Sequence, residues 1–228
     1  MAEKTDKLYI GHRQRLRERF IVGGYKAFQQ YELLELLLTY SIQRRDVKPV
    51  AKILVQKFGS ISKVFDAEYN ELKNITGIGD SSAILINLFK GLSIEYHVDK
   101  VKEMKQLSSP GNVYSFLDSL ISGSRDEKFV SLYLNTKNKL IDYEISSEGV
   151  ADHAVVYPRK IIRKALELNA TSLIIAHNHP SGEIAPSKED ISLTESIKSV
   201  CSTMDISLVD HLIIGDGSYY SFCKNNML

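Results

Sequence analysis

The chain has 228 residues, of which 43% are hydrophobic and 25% are charged, an ordinary composition for a folded protein of one large or two modest domains. No run reaches the roughly 18 apolar residues that a membrane-spanning helix needs, and the first residues, MAEKTDKLY, lack the apolar core of a signal peptide. These features predict a cytoplasmic protein without a membrane partner. The two cysteines, Cys201 and Cys223, lie far apart in the sequence and are predicted to be free thiols.

The net charge of +1 is divided unevenly along the chain. Residues 1–105 carry 18 Lys and Arg against 13 Asp and Glu, a net +5, whereas residues 106–228 carry 11 against 15, a net −4. Between the two halves, KEMKQLSSPGN (Lys102–Asn112) is rich in charge, Ser, Pro and Gly. We therefore predict two domains, residues 1–104 and 105–228, with different partners.

The first hundred residues carry the apolar spacing of helices. YELLELLLTY (Tyr31–Tyr40) and VKPVAKILVQKF (Val47–Phe58) repeat apolar residues at helical intervals. AEYNELKNI and SSAILINLFKGLSIEY continue this pattern on either side of TGIGD. The N-terminal domain is therefore predicted to be entirely helical.

The second half mixes strand and helix patterns. KFVSLYL and LIDYEIS are typical of strands, and NTKNK between them favours a hairpin. PRKIIRKALELNA predicts a helix, TSLIIAH a buried strand, and PSKEDISLTESIKSVCSTM a second helix. ISLVDHLIIGDGSYYSF closes as two strands about the GDG turn. This alternation is typical of an α/β or α+β domain.

A candidate metal site lies in AHNHPSGEIAPSKED (residues 176–190). His177 and His179 are two residues apart at the end of the predicted strand, so their imidazoles can share one face. The following loop contains two prolines and Gly182, so it can turn back and deliver Ser187 and Asp190 at the start of the next helix. Two imidazoles and one carboxylate suit Zn²⁺ and leave a fourth position for water.

Simpler interpretations of the same residues remain open. Ser187 with Glu189 and Asp190 is also a good helix start, with a serine N-cap and acids in the first turn. His177 alone could be a hydrogen-bonded core histidine. The contiguous letters HNH do not indicate an HNH nuclease, whose three signature residues lie far apart in sequence.

These motifs resemble a known family. His177-Asn-His179-Pro followed by Ser187 and Asp190 resembles the JAMM motif of MPN-domain metallopeptidases. HNHPSG with PSKED, together with YPRKIIRKALELNA and DHLIIGDGSYYSF, resembles the bacterial RadC family, which is named for DNA repair. The resemblance covers nearly the whole chain.

The resemblance implies a fold and an activity. The fold would be α+β with two domains, an N-terminal all-α helix-hairpin-helix domain followed by an α/β JAMM (MPN, cytidine-deaminase-like) domain. The activity would be that of a zinc metallopeptidase that hydrolyses an amide or isopeptide bond, with His177, His179 and Asp190 as the zinc ligands. The peptide or amide substrate itself is left open.

The resemblance also implies catalytic residues. The family has a glutamate on the first strand of the domain, and Glu127 matches its E-x-F pattern ahead of Phe129. A carboxylate there would act as general base and acid. Glu144 in LIDYEIS is the alternative, and Glu127 could also be a plain solvated residue. Ser187 would donate to the developing oxyanion.

Two further positions bear on the resemblance. Asp210 and His211 could orient a metal ligand from behind, although buried structure is the simpler interpretation of that pair. The family commonly has Pro-Arg-Glu where this chain has Lys160 after Pro-Arg, so a function of that acid is not carried over.

The N-terminal half supports a second hypothesis. LKNITGIGDSSAILI resembles a helix-hairpin-helix motif, in which a turn at Gly77 and Gly79 presents backbone N–H groups to phosphate. Lys73, Lys90 and the arginines of the Arg13–Arg19 segment could contact a DNA backbone without base specificity. The chain would then be a DNA-binding protein associated with repair or recombination, whose metal site is structural or non-catalytic. The same hairpin also occurs as a simple packing unit.

Overall fold

The chain forms two compact units, residues 1–92 and 93–228. The computed structural model describes residues 3–43, 45–103, 107, 110–146, 149–150, 153–154, 157–215 and 217–228. The division falls inside helix α6 (Asp80–Glu103), whereas composition places the boundary at residues 104/105. The last turns of α6 explain the offset, because Val98 and Val101 already pack in the core of the second unit. The chain therefore joins the second unit about one helix segment before the composition shifts at Lys102.

The first unit is helical, as predicted. Its elements are α1 (Glu3–Gly23), a 3-10 turn (Tyr25–Ala27), α2 (Gln30–Ser41), α3 (Lys48–Phe58), α4 (Ile61–Asp66), α5 (Tyr69–Lys73) and the first part of α6. The helices enclose one apolar core, which includes Leu34, Leu38, Ala51, Leu54, Leu72 and Ile86. The core residues of α2 and α3 belong to the apolar patterns that predicted those helices.

Local signals set the ends of these helices. Gln29 and Glu32 form a reciprocal capping box at the start of α2. Pro49 lies in the first turn of α3, where its missing N–H costs no helical hydrogen bond. Gly59 ends α3 with φ at 89°, a left-handed conformation that favours glycine.

The predicted helical hairpin is present between α5 and α6. Gly77 has φ at 97°, and a Cβ atom there would lie 2.8 Å from Cγ2 of Val50. A Cβ atom on Gly79 would meet no other atom within 4 Å. Lys73 pairs with Asp80 at the start of α6, and Lys90 pairs with Asp66 at 2.6 Å. The two lysines that flank the turn are therefore each neutralised by an acid of the same unit.

The arginines of α1 have unequal surroundings. Arg13 donates to the carbonyl oxygens of Ile42 at 2.9 Å and Arg45 at 2.6 Å, so it caps the end of α2 and the loop beyond it. Arg19 pairs with Glu32 at 2.8 Å. Arg15 is exposed. At least two of the four arginines predicted to face phosphate thus serve contacts within the protein.

The second unit is built around a five-stranded mixed sheet. Its strands are β1 (Phe129–Leu134), β2 (Leu140–Ser146), β5 (Ser172–Asn178), β6 (Ser207–Gly215) and β7 (Ser218–Ser221), in the order β2-β1-β5-β6-β7. Only the β5–β6 pair is parallel; β1–β2, β1–β5 and β6–β7 are antiparallel. A short pair, β3 (Gly149–Val150) and β4 (His153–Ala154), lies apart from this sheet. The helices are α7 (Pro110–Ile121), α8 (Pro158–Glu167) and α9 (Lys188–Thr203).

Each face of the sheet buries a separate core. One face carries Val130, Leu132, Ile174 and Leu212 and packs against α7. The other carries Phe129, Leu173 and Ile175 and packs with residues of α8 and α9. The alternation of residues along β1 and β5 supplies both faces, which is why both strands are buried throughout. The strands and helices confirm the predicted α+β class.

The sequence predicted no membrane-spanning helix and two free cysteines. None of the helices in the described part of the chain combines the length and apolarity that a bilayer crossing requires. Cys201 and Cys223 are both free thiols, as predicted. Cys201 is buried, and this burial raises the pKa of its thiol to about 11, so it is a core residue.

Candidate metal centre

The two histidines converge at the end of β5. His177 is the penultimate residue of that strand and is fully buried, whereas His179 lies just beyond the strand. The backbone N–H of His179 donates to the carbonyl of Ile214 on β6 at 2.9 Å, which holds the chain straight past the strand end. The Nε2 atoms of the two rings are 3.0 Å apart. The predicted sharing of one face is therefore observed.

Asp190 completes the group from the first turn of α9. Its Oδ1 lies 3.1 Å from Nε2 of His177, and its Oδ2 lies 3.6 Å from Nε2 of His179. One ligand atom from each of the three residues lies within 4.8 Å of the others. Residues from a strand, a loop and a helix thus point their donors at one position.

Ser187 holds Asp190 in place. The serine is the N-cap of α9, and its hydroxyl oxygen accepts from the backbone N–H of Asp190 at 3.1 Å. In return, Oδ2 of Asp190 accepts from the Ser187 backbone N–H at 2.8 Å and from its hydroxyl at 2.7 Å. The predicted cap is present, and it fixes the direction of the carboxylate that faces the histidines.

The charges of this group reinforce one another. Burial alone would raise the pKa of Asp190, but hydrogen bonds with His177, His179 and Ser187 outweigh it and hold that pKa well below its ordinary range. The pKa of His179 is raised, chiefly by its hydrogen bond with Asp190 and in smaller part by the Glu183 carbonyl and the charges of Asp190 and Glu127. Asp190 is thus an ionised carboxylate at neutral pH.

Glu127 lies two residues before β1, whereas the resemblance implied a glutamate on the strand itself. It is half-buried, and its charge is the smallest of the causes that raise the pKa of His179. Glu144, the alternative, is exposed on β2, with Oε2 3.4 Å from the hydroxyl of Tyr133.

Asn178, between the two histidines, fixes the segment that carries Glu127. Its side-chain oxygen accepts from the backbone N–H of Lys128 at 2.8 Å, and its side-chain nitrogen donates to the carbonyl of Asp126 at 3.2 Å. The side chain is buried, so these two bonds satisfy it. Asn178 had no predicted role, although its position between the two histidines is a sequence feature that could have indicated one.

His211 on β6 lies directly behind His177. Its Nε2 is 3.0 Å from Nδ1 of His177, and its Nδ1 is 2.6 Å from the hydroxyl oxygen of Thr194 on α9. Complete burial lowers the pKa of His211 well below its usual value, so the ring is neutral. The neighbouring Asp210 instead accepts from the backbone N–H of His211 at 2.8 Å and from the hydroxyl of Ser221 at 2.6 Å. The interpretation of His211 as plain buried structure is therefore incomplete, because it contacts a predicted ligand.

The loop after His179 is held close to β6. Gly182 has φ at 84°, and its N–H donates to the carbonyl of His179 at 2.9 Å, which closes a tight turn. A Cβ atom on Gly215 would lie 2.7 Å from the carbonyl carbon of Gly182, closer than real Cβ contacts come. The turn and the strand can approach this closely because Gly215 has no side chain.

Gly215→Ala should therefore destabilise the second unit by about 1–3 kcal/mol, since the added methyl group meets backbone rather than a movable side chain. Urea denaturation of the variant would measure the change in the free energy of unfolding. Gly111→Ala is the matched control, because a Cβ atom at Gly111 has open space within 4 Å in the same unit. Equal stability of the two variants would contradict the close approach.

The chain is similar to known proteins over its whole length. Residues 107–227 match the RadC-like JAB domain family, and residues 10–84 match the family described as UPF0758 N-terminal. A UPF0758 protein of Fusobacterium nucleatum is 40% identical over 235 aligned positions that cover all of both chains. A UPF0758 protein of Ruegeria pomeroyi is 40% identical over 211 positions, 92% of this chain and 94% of that protein. This chain belongs to the RadC-like JAB-domain family of UPF0758 proteins.

Proposed function

We propose that this protein is a zinc-dependent hydrolase that cleaves an amide or isopeptide bond. The observation that carries the proposal is the convergence of His177, His179 and Asp190, whose donor atoms lie within 4.8 Å of one another. Two imidazoles and a carboxylate are one of the three-ligand sets that hold catalytic zinc. The Nδ1 atoms of both histidines contact other groups, which leaves their Nε2 atoms for the ion.

The exposure of the three ligands supports a catalytic rather than a closed structural site. The side chain of His177 is 1% exposed, whereas those of Asp190 and His179 are 11% and 19% exposed. Three protein ligands leave one coordination position for water or substrate. Substrate would therefore approach from the side of His179. The charge of Glu127 is one of the causes that raise the pKa of His179.

Each catalytic residue has a defined task in this proposal. Zinc, when bound, would polarise the scissile carbonyl and lower the pKa of water at the site. Glu127 would accept a proton from the attacking water and pass it to the leaving amine, so that one amide and one water give an acid and an amine. Ser187 would turn its hydroxyl from Asp190, where it now donates, to the carbonyl oxygen as negative charge develops there.

The test is a screen of the zinc-loaded protein against peptide, isopeptide and small amide substrates. We expect cleavage of at least one class that stops when a chelator removes the ion and returns when zinc is restored. Chelator-treated protein given back one equivalent of Mg²⁺ is the control, because this ligand set does not suit magnesium. Stoichiometric zinc without cleavage of any class would reject the hydrolase and leave a structural metal site.

The helical unit supports a second candidate function, binding of a nucleic-acid backbone. We propose that the turn at Gly77 and Gly79 receives a phosphate of DNA. The supporting observation is the glycine turn between α5 and α6, which begins at Gly77 with φ at 97° and is open around Gly79. Arg15 remains exposed on α1, although Arg13 and Arg19 have partners within the protein.

Gly79→Asp should weaken duplex DNA binding by at least about tenfold, because it places a negative charge where phosphate would bind. Gly79→Asn is the matched control, since it has the same shape without the charge, and either residue is a good N-cap for α6. Fluorescence anisotropy at two salt concentrations would measure both affinities. Equal affinities for the two variants, or no salt-dependent binding by the wild type, would reject the DNA interface.

A further inference from the structure

Three buried side chains form a continuous hydrogen-bonded line behind the candidate metal position. Nδ1 of His177 is 3.0 Å from Nε2 of His211, and Nδ1 of His211 is 2.6 Å from the hydroxyl oxygen of Thr194. That hydroxyl lies 2.6 Å from the backbone carbonyl of Asp190. All three residues are at most 2% exposed, so each polar atom must find its partner within the protein.

The chemistry of the groups fixes where the protons lie. The carbonyl of Asp190 can only accept, so the single hydroxyl proton of Thr194 points to it. The hydroxyl oxygen must then accept, and Nδ1 of His211 carries the proton that it receives. In a neutral His211 ring, Nε2 is consequently a lone pair that accepts from an Nδ1–H of His177.

This order of protons reaches the metal position through His177. In the tautomer with Nδ1 protonated, Nε2 is the nitrogen of His177 that can bind an ion, and an ion there would displace the proton that Nε2 shares with Oδ1 of Asp190 at 3.1 Å. We propose that Thr194 and His211 are positioning residues that select this tautomer of His177 and aim its Nε2 at the ion. This inference rests on the metal site of the proposed function and adds two residues to it.

His179 provides an internal comparison. Its Nδ1 lies 2.6 Å from the carbonyl of Glu183, so a backbone group selects the same tautomer there. The backbone carbonyl is present whatever residue occupies position 183. The tautomer of His177, by contrast, depends on two side chains that substitution can remove.

A β-bulge brings His211 to the correct face of the sheet. The register between β5 and β6 shifts by one residue, so Leu173 pairs with Leu208 but Ile174 pairs with Asp210. As a result, His211 lies opposite Ile175 and on the face of His177, where an unshifted register would place Asp210. Phe222 stacks on the His211 ring, with centroids 4.7 Å apart, and holds its plane.

The test compares two substitutions at one position. Thr194→Val removes the hydroxyl at nearly constant shape, whereas Thr194→Ser retains it. Competition with a chromophoric chelator would give the Kd for Zn²⁺, and we expect Thr194→Val to weaken binding by about 10–100-fold, the usual effect of losing an outer partner of a metal ligand. Thr194→Ser should stay close to the wild type, and thermal melting would show that both variants are folded.

Nuclear magnetic resonance of the wild type tests the tautomer without any substitution. Long-range ¹H–¹⁵N spectra should show a protonated Nδ1 on both His177 and His211, with and without zinc. A protonated Nε2 on His211 would overturn the inference. Unchanged zinc affinity in Thr194→Val, or an equal loss in Thr194→Ser, would also overturn it, because the hydroxyl would then have no part in the effect.

These outcomes separate the inference from the proposed function. The protein could show the expected histidine tautomers and zinc affinities and yet cleave no amide. That result would reject the hydrolase and support Thr194 and His211 as positioning residues. The protein could instead cleave an amide with zinc while Thr194→Val leaves its zinc affinity unchanged. That result would support the hydrolase and reject the positioning residues.

Discussion

Replacement of His179 by alanine should abolish stoichiometric zinc binding. His179 supplies one of three converging donors, and its Nε2 lies 3.0 Å from Nε2 of His177. Loss of a direct ligand should exceed the roughly 10–100-fold loss in affinity that follows removal of an outer partner. Elemental analysis after dialysis against zinc would measure the metal content, and competition with a chelator would measure the affinity.

His97→Ala is the matched control for this experiment. His97 is exposed on α6, where its Nδ1 lies 2.7 Å from the carbonyl of Ser93, and it belongs to the same unit of the chain. This variant should bind one zinc per chain with the wild-type affinity. If His179→Ala also kept its zinc, the ion would be held elsewhere and the proposed site would be wrong.

The second large effect is expected at Glu127. Glu127→Gln keeps the size and the hydrogen-bonding capacity of the side chain but cannot take up a proton at neutral pH. Turnover of the substrate found in the screen should fall by about 10²–10⁴-fold, the usual contribution of general acid–base catalysis. Zinc content should stay at the wild-type value, because Glu127 is not one of the converging donors.

Glu144→Gln is the matched control, since Glu144 was the alternative base and is exposed on β2. It should retain wild-type turnover. A loss of turnover in Glu144→Gln, with Glu127→Gln active, would reverse the assignment. The ratio of the effects on kcat and KM would separate catalysis from binding, because a base acting only in the transition state lowers kcat.

Much of the fold follows from local patterns. Short segments of sequence carry the signals for several elements. They include the apolar periods of α2 and α3, the largely apolar runs of β1 and β5, and the caps at Gln29 and Ser187. Helix α7 was missed although Val113, Phe116, Leu117 and Leu120 repeat at helical spacing. The helix begins at Pro110, and its Pro-Gly start is also typical of a linker, which is what the sequence predicted there.

The sequence by itself determined the candidate metal donors, because His177, His179 and Asp190 lie within 14 residues and their spacing has local geometric meaning. The tertiary structure alone decided what surrounds those donors. Asn178 reaches a carbonyl 52 residues away, and His177 meets His211 across 34 residues. Such contacts depend on strand order and on a one-residue bulge in β6, and a shift of one residue turns a side chain to the opposite face of the sheet. No local pattern encodes that register, since it is set by packing across the whole sheet.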